Sequence, residues 1–293
     1  MINGGGTSGP AATLIDANAL NDRILQIQTG ATVALQNLIL TGGVAHDDGV
    51  FGQGPARGGA ILDNGQSLTL NNVWVVGNDA EAAPHGDAQG GGIYAAGGSL
   101  SIYRSLIATN RAVGGSSSSS SGGEDGGRGQ GGGLYAASGA VILGVPGLPV
   151  KVLSNRAVGG SGSSGSSGGN GGDAQGGGIY LGGGSLALTV NMASAVISSN
   201  FAQAGTGASG SSGYGGNGGS AQGAGLFIAP GSVSVVVNSV GDLFTFNRAT
   251  GGDGGSGSSG NGIGLRTTSR LGGTARMGDS RRVLPSSLVR GWR

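Results

Sequence analysis

The sequence predicts an all-β fold: a single-stranded parallel β-helix, or solenoid, of about six coils with protruding Gly/Ser-rich loops. Repetition leads to this prediction, because repeating units stack and bury their apolar faces on one another. Five times a run of small residues leads into an apolar residue, here called the anchor, and five times an asparagine follows at a nearly fixed distance. The anchors are Ile61, Ile93, Leu134, Ile179 and Leu226, and the asparagines are Asn78, Asn110, Asn155, Asn200 and Asn247.

Within each unit the apolar residues have the spacing of β-strands. Seven and nine residues after each anchor comes an apolar pair, whose two side chains face the same side of a strand. The pairs are Leu68/Leu70, Leu100/Ile102, Val141/Leu143, Leu186/Leu188 and Val233/Val235. A third apolar residue precedes each asparagine by three positions, at Val75, Ile107, Val152, Ile197 and Phe244. Each unit is therefore expected to contain three short strands, separated by Gly, Asn and Ser, which turn the chain at low steric cost.

Equivalent side chains of stacked units are expected to form rows at the strand spacing of about 4.8 Å. The five asparagines should form one row, bonding to each other and to the backbone of turns. The glutamines four residues before the anchors should form a second row, with Arg57 in the first unit followed by Gln89, Gln130, Gln175 and Gln222. The alanines two residues after each asparagine suit a tight inward turn, and they are Ala80, Ala112, Ala157, Ala202 and Ala249.

Charge and repetition together divide the chain into three regions. Residues 1–57 are expected to form an N-terminal cap and an opening coil, and residues 58–265 the repeats. Residues 1–265 contain 8 Lys/Arg and 13 Asp/Glu, whereas residues 266–293 contain 7 Arg and a single Asp. We expect this Arg-rich tail to be disordered. It has no helical face and Trp292 is its one aromatic residue, so nucleic acid is not an expected partner.

Composition excludes several classes of protein. Glycine provides 71 of the 293 residues without a Gly-X-Y period, which excludes collagen. The chain has no cysteine, so neither disulfides nor thiolate metal sites are available. No run of 18 apolar residues is present, so no transmembrane segment is expected, and residues 1–6 do not have the pattern of a signal peptide.

Two sequence motifs resemble those of a known family. Residues 58–61 read Gly-Gly-Ala-Ile and residues 244–247 read Phe-Thr-Phe-Asn. Together they resemble the right-handed parallel β-helix repeat proteins of bacterial surfaces, similar to the polymorphic outer membrane protein repeats, which have a pectin-lyase-like fold. The other copies of the second motif carry Val or Ile in place of the first Phe. The resemblance covers roughly residues 10–265, and it implies a right-handed helix and export, with the signal and anchor missing from this chain.

Low-complexity loops rich in Gly and Ser occupy roughly residues 114–130, 159–175 and 203–222. Their composition cannot bury a core, which favours flexible loops projecting from one edge of the solenoid. The alternative is that they pack side by side as extended, polyproline-like segments that form a ledge. Residues 168–174 also fit most of a Gly-Gly-x-Gly-x-Asp calcium motif, in which carboxylate and carbonyl oxygens bind the ion. Asp87 and Asp173 are therefore the calcium candidates, although Arg128 occupies the related position between them.

Two further rows are candidate ligand-binding surfaces. The first follows the asparagines directly and consists of Arg111, Arg156 and Arg248. It could meet an anionic glycan or phosphate, or else pair with loop carboxylates on the outer wall. The second follows the anchors directly and consists of Tyr94, Tyr135, Tyr180 and Phe227. Because the anchors face inward, these rings are expected to face outward, where they would stabilise the sheet or stack on sugars.

Catalysis is not indicated by the sequence. A polysaccharide lyase needs a basic residue beside carboxylates that hold calcium, and a glycoside hydrolase needs two or three converging carboxylates. Asp63 has no acidic counterpart in the other units, and His46 and His85 are isolated loop residues.

We therefore expect a non-catalytic exported protein, extracellular or on the cell surface, that acts as an adhesin, a stalk or a carbohydrate-contacting module. Glycans or host and cell-surface proteins are the expected partners, and no cofactor is expected apart from the calcium alternative. The alternative function is a polysaccharide lyase or glycoside hydrolase.

Overall fold

The computed structural model describes residues 1–4, 13–52, 54–118, 122–182, 188–231, 233–238, 243–257, 268–270 and 282–283. These residues form 31 strands and no helix, so none of them belongs to a helix that could span a membrane. The all-β part of the prediction agrees with the structure.

The strands follow the repeat units along the chain. The N-terminal part contains β1 (Ile2–Asn3), β2 (Thr13–Asp16), β3 (Leu25–Ile27), β4 (Thr32–Thr41) and β5 (Val44–Ala45). The first unit contains β6 (Ala56–Arg57), β7 (Ile61–Asp63), β8 (Ser67–Val76) and β9 (Asp79–Glu81). The second contains β10 (Ala88–Gln89), β11 (Ile93–Ala95), β12 (Ser99–Tyr103), β13 (Leu106–Ala108) and β14 (Arg111–Val113).

The last three units repeat this pattern. The third contains β15 (Gly129–Gln130), β16 (Leu134–Ala136), β17 (Gly139–Leu143), β18 (Val150–Leu153) and β19 (Arg156–Val158). The fourth contains β20 (Ala174–Gln175), β21 (Ile179–Leu181), β22 (Leu188–Ala193), β23 (Ala195–Ser198) and β24 (Phe201–Gln203). The fifth contains β25 (Ala221–Gln222), β26 (Leu226–Ile228), β27 (Val233–Asn238), β28 (Leu243–Thr245) and β29 (Arg248–Thr250), and β30 (Thr268–Arg270) and β31 (Arg282–Val283) follow.

The strands form four sheets, and strands of neighbouring units pair in parallel. The three smaller sheets have the orders β25-β20-β15-β10-β6, β26-β21-β16-β11-β7-β3 and β30-β29-β24-β19-β14-β9-β5. The other 13 strands belong to one sheet. Anchors pair with anchors in this arrangement, since Ile93 is in register with Ile61 on one side and Leu134 on the other.

The predicted solenoid of about six coils with three short strands each is wrong. The structure instead has parallel sheets, and its 13-stranded sheet curls into a half-barrel. The ten-residue strand β8 joins the two arms of that sheet, because β12 pairs with its first half and β13 with its second half. Units two to five contain five strands each and not three. The prediction missed short strands such as β10 and β14.

A backbone bend within β8 explains how one continuous strand belongs to both arms of the sheet. Asn72 has a φ of 57°, in the left-handed region that asparagine tolerates better than most residues. The bend interrupts the alternation of side chains, so Leu70 and Val73, three positions apart, are both fully buried. Asn37 repeats the bend in β4, with a φ of 54°. Both halves of each long strand therefore face the core, and the sheet curls instead of ending.

Val233 and Val235 of the fifth unit pack in the core as predicted, but the predicted pairs of the fourth and fifth units are out of register with the earlier pairs. Val141 pairs with Val190, and Val190 pairs with Val235, whereas Leu188 pairs with Gly139. The predicted partner of Leu188 at position 186 lies outside the described residues. The fourth and fifth units have more residues between the anchor and the following strand than the earlier units do. Counting seven and nine residues from the anchor therefore does not find the residues that pair with Val141.

The core lies between the inward faces of the sheets. Its largest fully buried side chains come from the predicted inward positions, such as Ile61, Leu68 and Ile107. Burying such a side chain contributes roughly 1.5 to 3 kcal/mol. The alanines after the asparagines lie in the middle of short strands and not in turns, and Ala80, Ala112, Ala157 and Ala202 are fully buried. Their small size lets the Gly-rich segments pack closely behind them.

The Gly/Ser-rich loops do not project freely. Seven segments of them form a hydrogen-bonded layer, here called the glycine array: residues 113–118, 123–129, 158–164, 168–174, 204–210, 215–221 and 250–257. The segment 168–174 shows the pattern. Every third N–H, from Gly168, Gly171 and Ala174, donates to a carbonyl of the next unit, at residues 214, 217 and 220 respectively. The N–H groups of Gly169 and Gly172 donate to the carbonyls of Ser163 and Gly160 in segment 158–164.

A period of three residues identifies the array as polyproline-II-like, because that helix has three residues per turn. Glycine is needed for space. A Cβ on Gly172 would lie 1.9 Å from the carbonyl oxygen of Gly127, and one on Gly205 would lie 1.9 Å from that of Gly160. The third residue of each triplet faces outward, and its N–H bonds to the equivalent side chain of the preceding unit, as Asn217 does to Asn170 Oδ1 at 2.8 Å. The ledge alternative therefore describes these segments better than flexible loops.

Two short pieces of the Arg-rich tail, predicted to be disordered, are strands. β30 pairs antiparallel with β29, and β31 pairs antiparallel with β27. Both lie on strands of the fifth unit. The rest of residues 266–293 falls outside the described residues.

Candidate functional site

The predicted arginines lie in one row of the 7-stranded sheet. The arginine row consists, in register, of Asp79, Arg111, Arg156, Phe201 and Arg248. The following residues in these strands are buried alanines, so the alternation of a strand turns the row outward. The sequence prediction missed Asp79 and Phe201, although both directly follow an asparagine of the repeat.

Few carboxylates balance these arginines. Arg111 Nη1 lies 3.4 Å from Asp79 Oδ2, and the Arg111 side chain is 43% exposed. Arg156 donates from Nη2 to Gln203 Oε1, and its guanidinium carbon lies 5.2 Å from the centre of the Phe201 ring. The guanidinium carbon of Arg248 lies 5.6 Å from the centre of the same ring. Cation–π contacts orient these two guanidinium groups without neutralising them.

The electrostatics of the row favour an added anion. Burial, and then the charge of Arg111, lower the pKa of Arg156. Burial raises the pKa of Asp79, and the charge of Arg111 opposes that effect. Arg156 Nε is buried and has no hydrogen-bond partner among the described residues. An oxyanion bound between Arg111 and Arg156 would relieve their mutual repulsion.

The predicted aromatic row exists as a stack of rings. The ring centres of Tyr94 and Tyr135 are 5.2 Å apart, those of Tyr135 and Tyr180 4.6 Å, and those of Tyr180 and Phe227 5.2 Å. The guanidinium carbon of Arg57 lies 4.9 Å from the centre of Tyr94. The expectation that these rings face solvent is wrong for Tyr94 and Tyr180, which are 6% and 8% exposed. Because each ring covers the face of the next, the row offers little open aromatic surface for a sugar.

Burial also changes the acid–base properties of the tyrosines. It raises the pKa of Tyr135, with smaller contributions from Tyr180 and Tyr94. It raises the pKa of Tyr94 and of Tyr180 as well, and Tyr180 has a side-chain hydrogen bond to Gln130. These phenols stay protonated well above neutral pH.

The predicted asparagines are brought together into a buried row. Asn155 represents them: its Nδ2 donates to Ile107 O at 2.9 Å and to Asn200 Oδ1 at 3.0 Å, and its Oδ1 accepts from Asn110 Nδ2 at 2.9 Å. Its Oδ1 also accepts from the Asn110 backbone N–H at 3.1 Å. The row therefore provides hydrogen-bond partners for the backbone N–H of Asn110 and the backbone carbonyl of Ile107, near the end of β13.

The predicted glutamines form a second, more exposed row. Arg57 Nε donates to Gln89 Oε1 at 3.0 Å, and Gln89 Nε2 donates to Gln130 Oε1 at 3.1 Å. Gln130 continues the row to Gln175 at 3.0 Å, and Gln175 continues it to Gln222 at 3.3 Å. Each amide uses one donor and one acceptor, so the row runs in a single direction and fixes the orientation of every side chain.

A groove of about 860 Å³ lies where the glycine array meets the first unit. Its charged lining residues are His85, Asp87, Glu124, Asp125, Arg128 and Asp173. The calcium candidates Asp87 and Asp173 both line it, and Arg128 lies in register between them. Asp87 Oδ1 accepts from Arg128 N–H at 2.7 Å, and Asp173 Oδ1 accepts from Ser220 N–H at 2.7 Å. Within the part of the chain that the structure describes, no three His, Asp or Glu side chains are placed to hold a metal ion.

His85, expected to be an isolated loop residue, holds two segments together. Its Nε2 lies 2.8 Å from Glu124 Oε2, its Nδ1 lies 2.8 Å from Ser117 Oγ, and the same Nδ1 lies 3.1 Å from Asp125 O. The arrangement is superficially that of a Ser-His-acid triad. However, Ser117 Oγ donates to Asp125 O at 2.5 Å, so its single proton is not directed at the imidazole. His85 therefore links Ser117 of one segment to Glu124 of the next, and the Ser117 hydroxyl is not placed to give its proton to the imidazole.

Asp63 is a buried acid that sequence reasoning placed in the strand but not in the core. It occupies the row of Ile27 and Ala95, and it is fully buried. Its Oδ1 accepts from Gly65 N–H at 2.9 Å, and its Oδ2 has no partner among the described residues. Burial raises the pKa of Asp63, and the bond from Gly65 opposes that effect.

Comparison with known proteins found no matching family model, no matching curated protein and no matching solved structure. The resemblance to bacterial surface repeat proteins therefore stays a prediction.

Proposed function

We propose that this chain is a non-catalytic surface or extracellular protein that binds anionic polysaccharide through its arginine row. The observation that carries the proposal is the excess of cationic groups along the row. Arg111, Arg156 and Arg248 share it with one carboxylate, that of Asp79.

The spacing of the row suits a polymer of charged sugars. Neighbouring strands lie about 4.8 Å apart, so guanidinium groups on adjacent strands can bind the two sides of one carboxylate or sulfate. Each hydrogen bond between a guanidinium and an anion contributes about 1.5 to 3 kcal/mol. Phe201 lies between Arg156 and Arg248, and its ring holds both guanidinium groups in place along the row.

A glycan panel tests this proposal. The purified protein would be applied to immobilised uronate, sulfated, neutral and amino-sugar polymers at low and high salt. We expect retention on uronate or sulfated polymers that weakens as salt rises, because screening acts on exposed charges. Arg156→Gln should reduce retention.

Lys151→Gln is the matched control, because it removes one exposed cation from β18, outside the row. This variant should bind like the unmodified protein. Equal retention on neutral polymers, or equal loss in both variants, would contradict the proposal.

A second candidate is cleavage of a polysaccharide, as a lyase or glycoside hydrolase. The groove favours it, because Glu124, Asp125, Asp87 and Asp173 meet there beside Arg128. The appropriate test measures newly released reducing or unsaturated ends from the same panel of polymers. Release that disappears in Glu124→Gln but not in Lys151→Gln would support this candidate, and bound polymer without release in either protein would oppose it.

A further inference from the structure

One outer face of the 13-stranded sheet carries a row of apolar side chains. In the arm that contains the second half of β8, the residues in register are Leu14, Ile39, Trp74, Leu106, Lys151 and Val196. They point outward, because Val73 and Val75, on either side of Trp74 along the strand, are fully buried in the core. The five apolar members of this set are here called the apolar row.

The outer face of the other arm is more polar. Its outward residues in register are Thr32, Ser67, Ser99 and Ala140. The core does not require this difference, since both arms bury apolar side chains on their inner face, such as Leu68 in one arm and Val75 in the other. An apolar outer surface on one arm alone is typical of a face that contacts another protein.

The apolar row is accessible and has opposite charges near its two ends. Leu14 is 59% exposed, and the other four members are half-buried. Lys151 is exposed on β18, and Asp16 is exposed on β2, two residues after Leu14. The strands β2 and β18 are each two strands away from β8, on opposite sides of it.

This arrangement is complementary to itself under a two-fold rotation. A two-fold axis parallel to β8 and directly above Trp74 would place Trp74 against Trp74 of a second copy, and Ile39 against Leu106. It would also place β2 against β18 of the second copy, where the long Lys151 side chain reaches Asp16 diagonally. Tryptophan at the centre of an interface often contributes much of the binding energy.

We propose that two copies of this chain form a symmetric dimer, with their apolar rows packed face to face and Trp74 at the centre. Two sheets that pack in this way lie about 10 Å apart, a gap that the side chains of the two rows fill. The arginine row lies on the separate 7-stranded sheet, so variants of the apolar row leave it unchanged.

Sedimentation velocity of the full chain over a range of concentrations tests the proposal. We expect a dimer that dissociates on dilution, and Trp74→Ser should weaken the association at least about tenfold. Thr69→Ala is the matched control, because it changes an outward residue in the first half of the same strand. Thermal unfolding checks that both variants fold. A monomer at every concentration, or equal association of the unmodified protein and a folded Trp74→Ser variant, would overturn the proposal.

Charge reversal tests how the two copies are aligned. Removing one exposed charge changes affinity little, whereas reversing it places like charges together. Lys151→Glu and Asp16→Lys should therefore each weaken the dimer, and the double variant should restore it. If neither reversal weakens the dimer, or if the double variant is no tighter than the single ones, the proposed pairing of β2 with β18 is wrong. Both residues are exposed, so these variants decide the matter if Trp74→Ser does not fold.

Discussion

Buried polar side chains determine how strands end in this protein. The asparagine row satisfies strand-end backbone groups that no sheet bond reaches, and it is fully buried from Asn78 to Asn200. The sequence predicted both its position and its partners, because a polar residue at a constant place in five repeats is brought into contact by stacking alone. It did not predict Asp63 as a core residue, although Asp63 lies two positions after the inward-facing anchor Ile61, because an acid is rarely buried without a charged partner.

Asn155→Ala should strongly destabilise the protein. The change removes two acceptor bonds from Asn110 and leaves Ile107 O and Asn200 Oδ1 without the Nδ2 donor. Since each unsatisfied buried group costs about 1 to 3 kcal/mol, we expect a loss of about 3 kcal/mol or more. Urea denaturation measures it. Asn217→Ala, at an exposed outward position, should stay within about 0.5 kcal/mol, and an equal effect of both changes would contradict the role of the row.

Asp63→Asn should stabilise the protein at neutral pH. Burial raises the folded-state pKa of Asp63 above its ordinary value of 3.8, so the folded protein holds this proton more tightly than the unfolded chain does. The carboxyl's contribution to stability is therefore complete below about pH 4 and is lost as pH rises through the folded-state pKa. Asn keeps the acceptor for Gly65 and removes the charge.

Unfolding free energies across the acid range test this. Between pH 4 and neutrality, the stability of the unmodified protein should fall relative to that of Asp63→Asn. At pH 7 the variant should be more stable by about 1 to 3 kcal/mol. Asp22→Asn, which alters a side chain that is 75% exposed, is the control. A variant that loses stability at pH 7 would show that the charged carboxylate has a favourable partner.

At the scale of the element, rows of like residues replace the isolated contacts of most folds. The tyrosine stack lies on the strands that carry the anchors, and burial keeps its phenols protonated. Its position was predictable from spacing. Its burial was not, because the neighbouring Arg57 and Gln130 of the glutamine row precede the anchors in loop-like sequence, whose composition does not show that they contact the rings.

Tyr135→Phe should reduce the loss of folding stability that we expect at alkaline pH. Burial raises the folded-state pKa of Tyr135 above its ordinary value of 10.0, so the neutral phenol's contribution to stability is complete below pH 10 and is lost as pH rises further. Thermal melts at increasing alkaline pH should therefore fall less steeply for Tyr135→Phe. Tyr103→Phe lies outside the stack and should retain the steep fall. Parallel behaviour of both variants would contradict this interpretation.

Gly172→Ala tests the glycine array. The added Cβ would lie 1.9 Å from Gly127 O, so the backbone must move and weaken its bonds to Gly160 and Gly205. We expect a loss of about 1 to 3 kcal/mol in urea denaturation, as for other overpacked sites. Ser220→Ala, on an outward position, should cost less than about 0.5 kcal/mol. If Gly172→Ala is as harmless as this control, the segments are not closely packed.

At the scale of the whole molecule, the repeat was predicted and the architecture was not. Spacing in the sequence gives the register between units, so anchors, asparagines, glutamines and arginines were assigned correctly to their rows. The curl of the 13-stranded sheet depends on left-handed backbone at Asn37 and Asn72, which asparagine permits but does not require. The groove residues His85 and Glu124 come from loops without a repeated position, so no spacing could have brought them together.

The central claim is that the arginine row binds a polyanion. Calorimetric titration of a defined oligouronate at low ionic strength tests it most directly, with the unmodified protein, Arg111→Gln/Arg156→Gln and Lys151→Gln. The account predicts binding to the unmodified protein and to Lys151→Gln, and affinity at least about tenfold weaker for the double variant. Unchanged affinity in a folded double variant would contradict the claim and place the binding surface elsewhere.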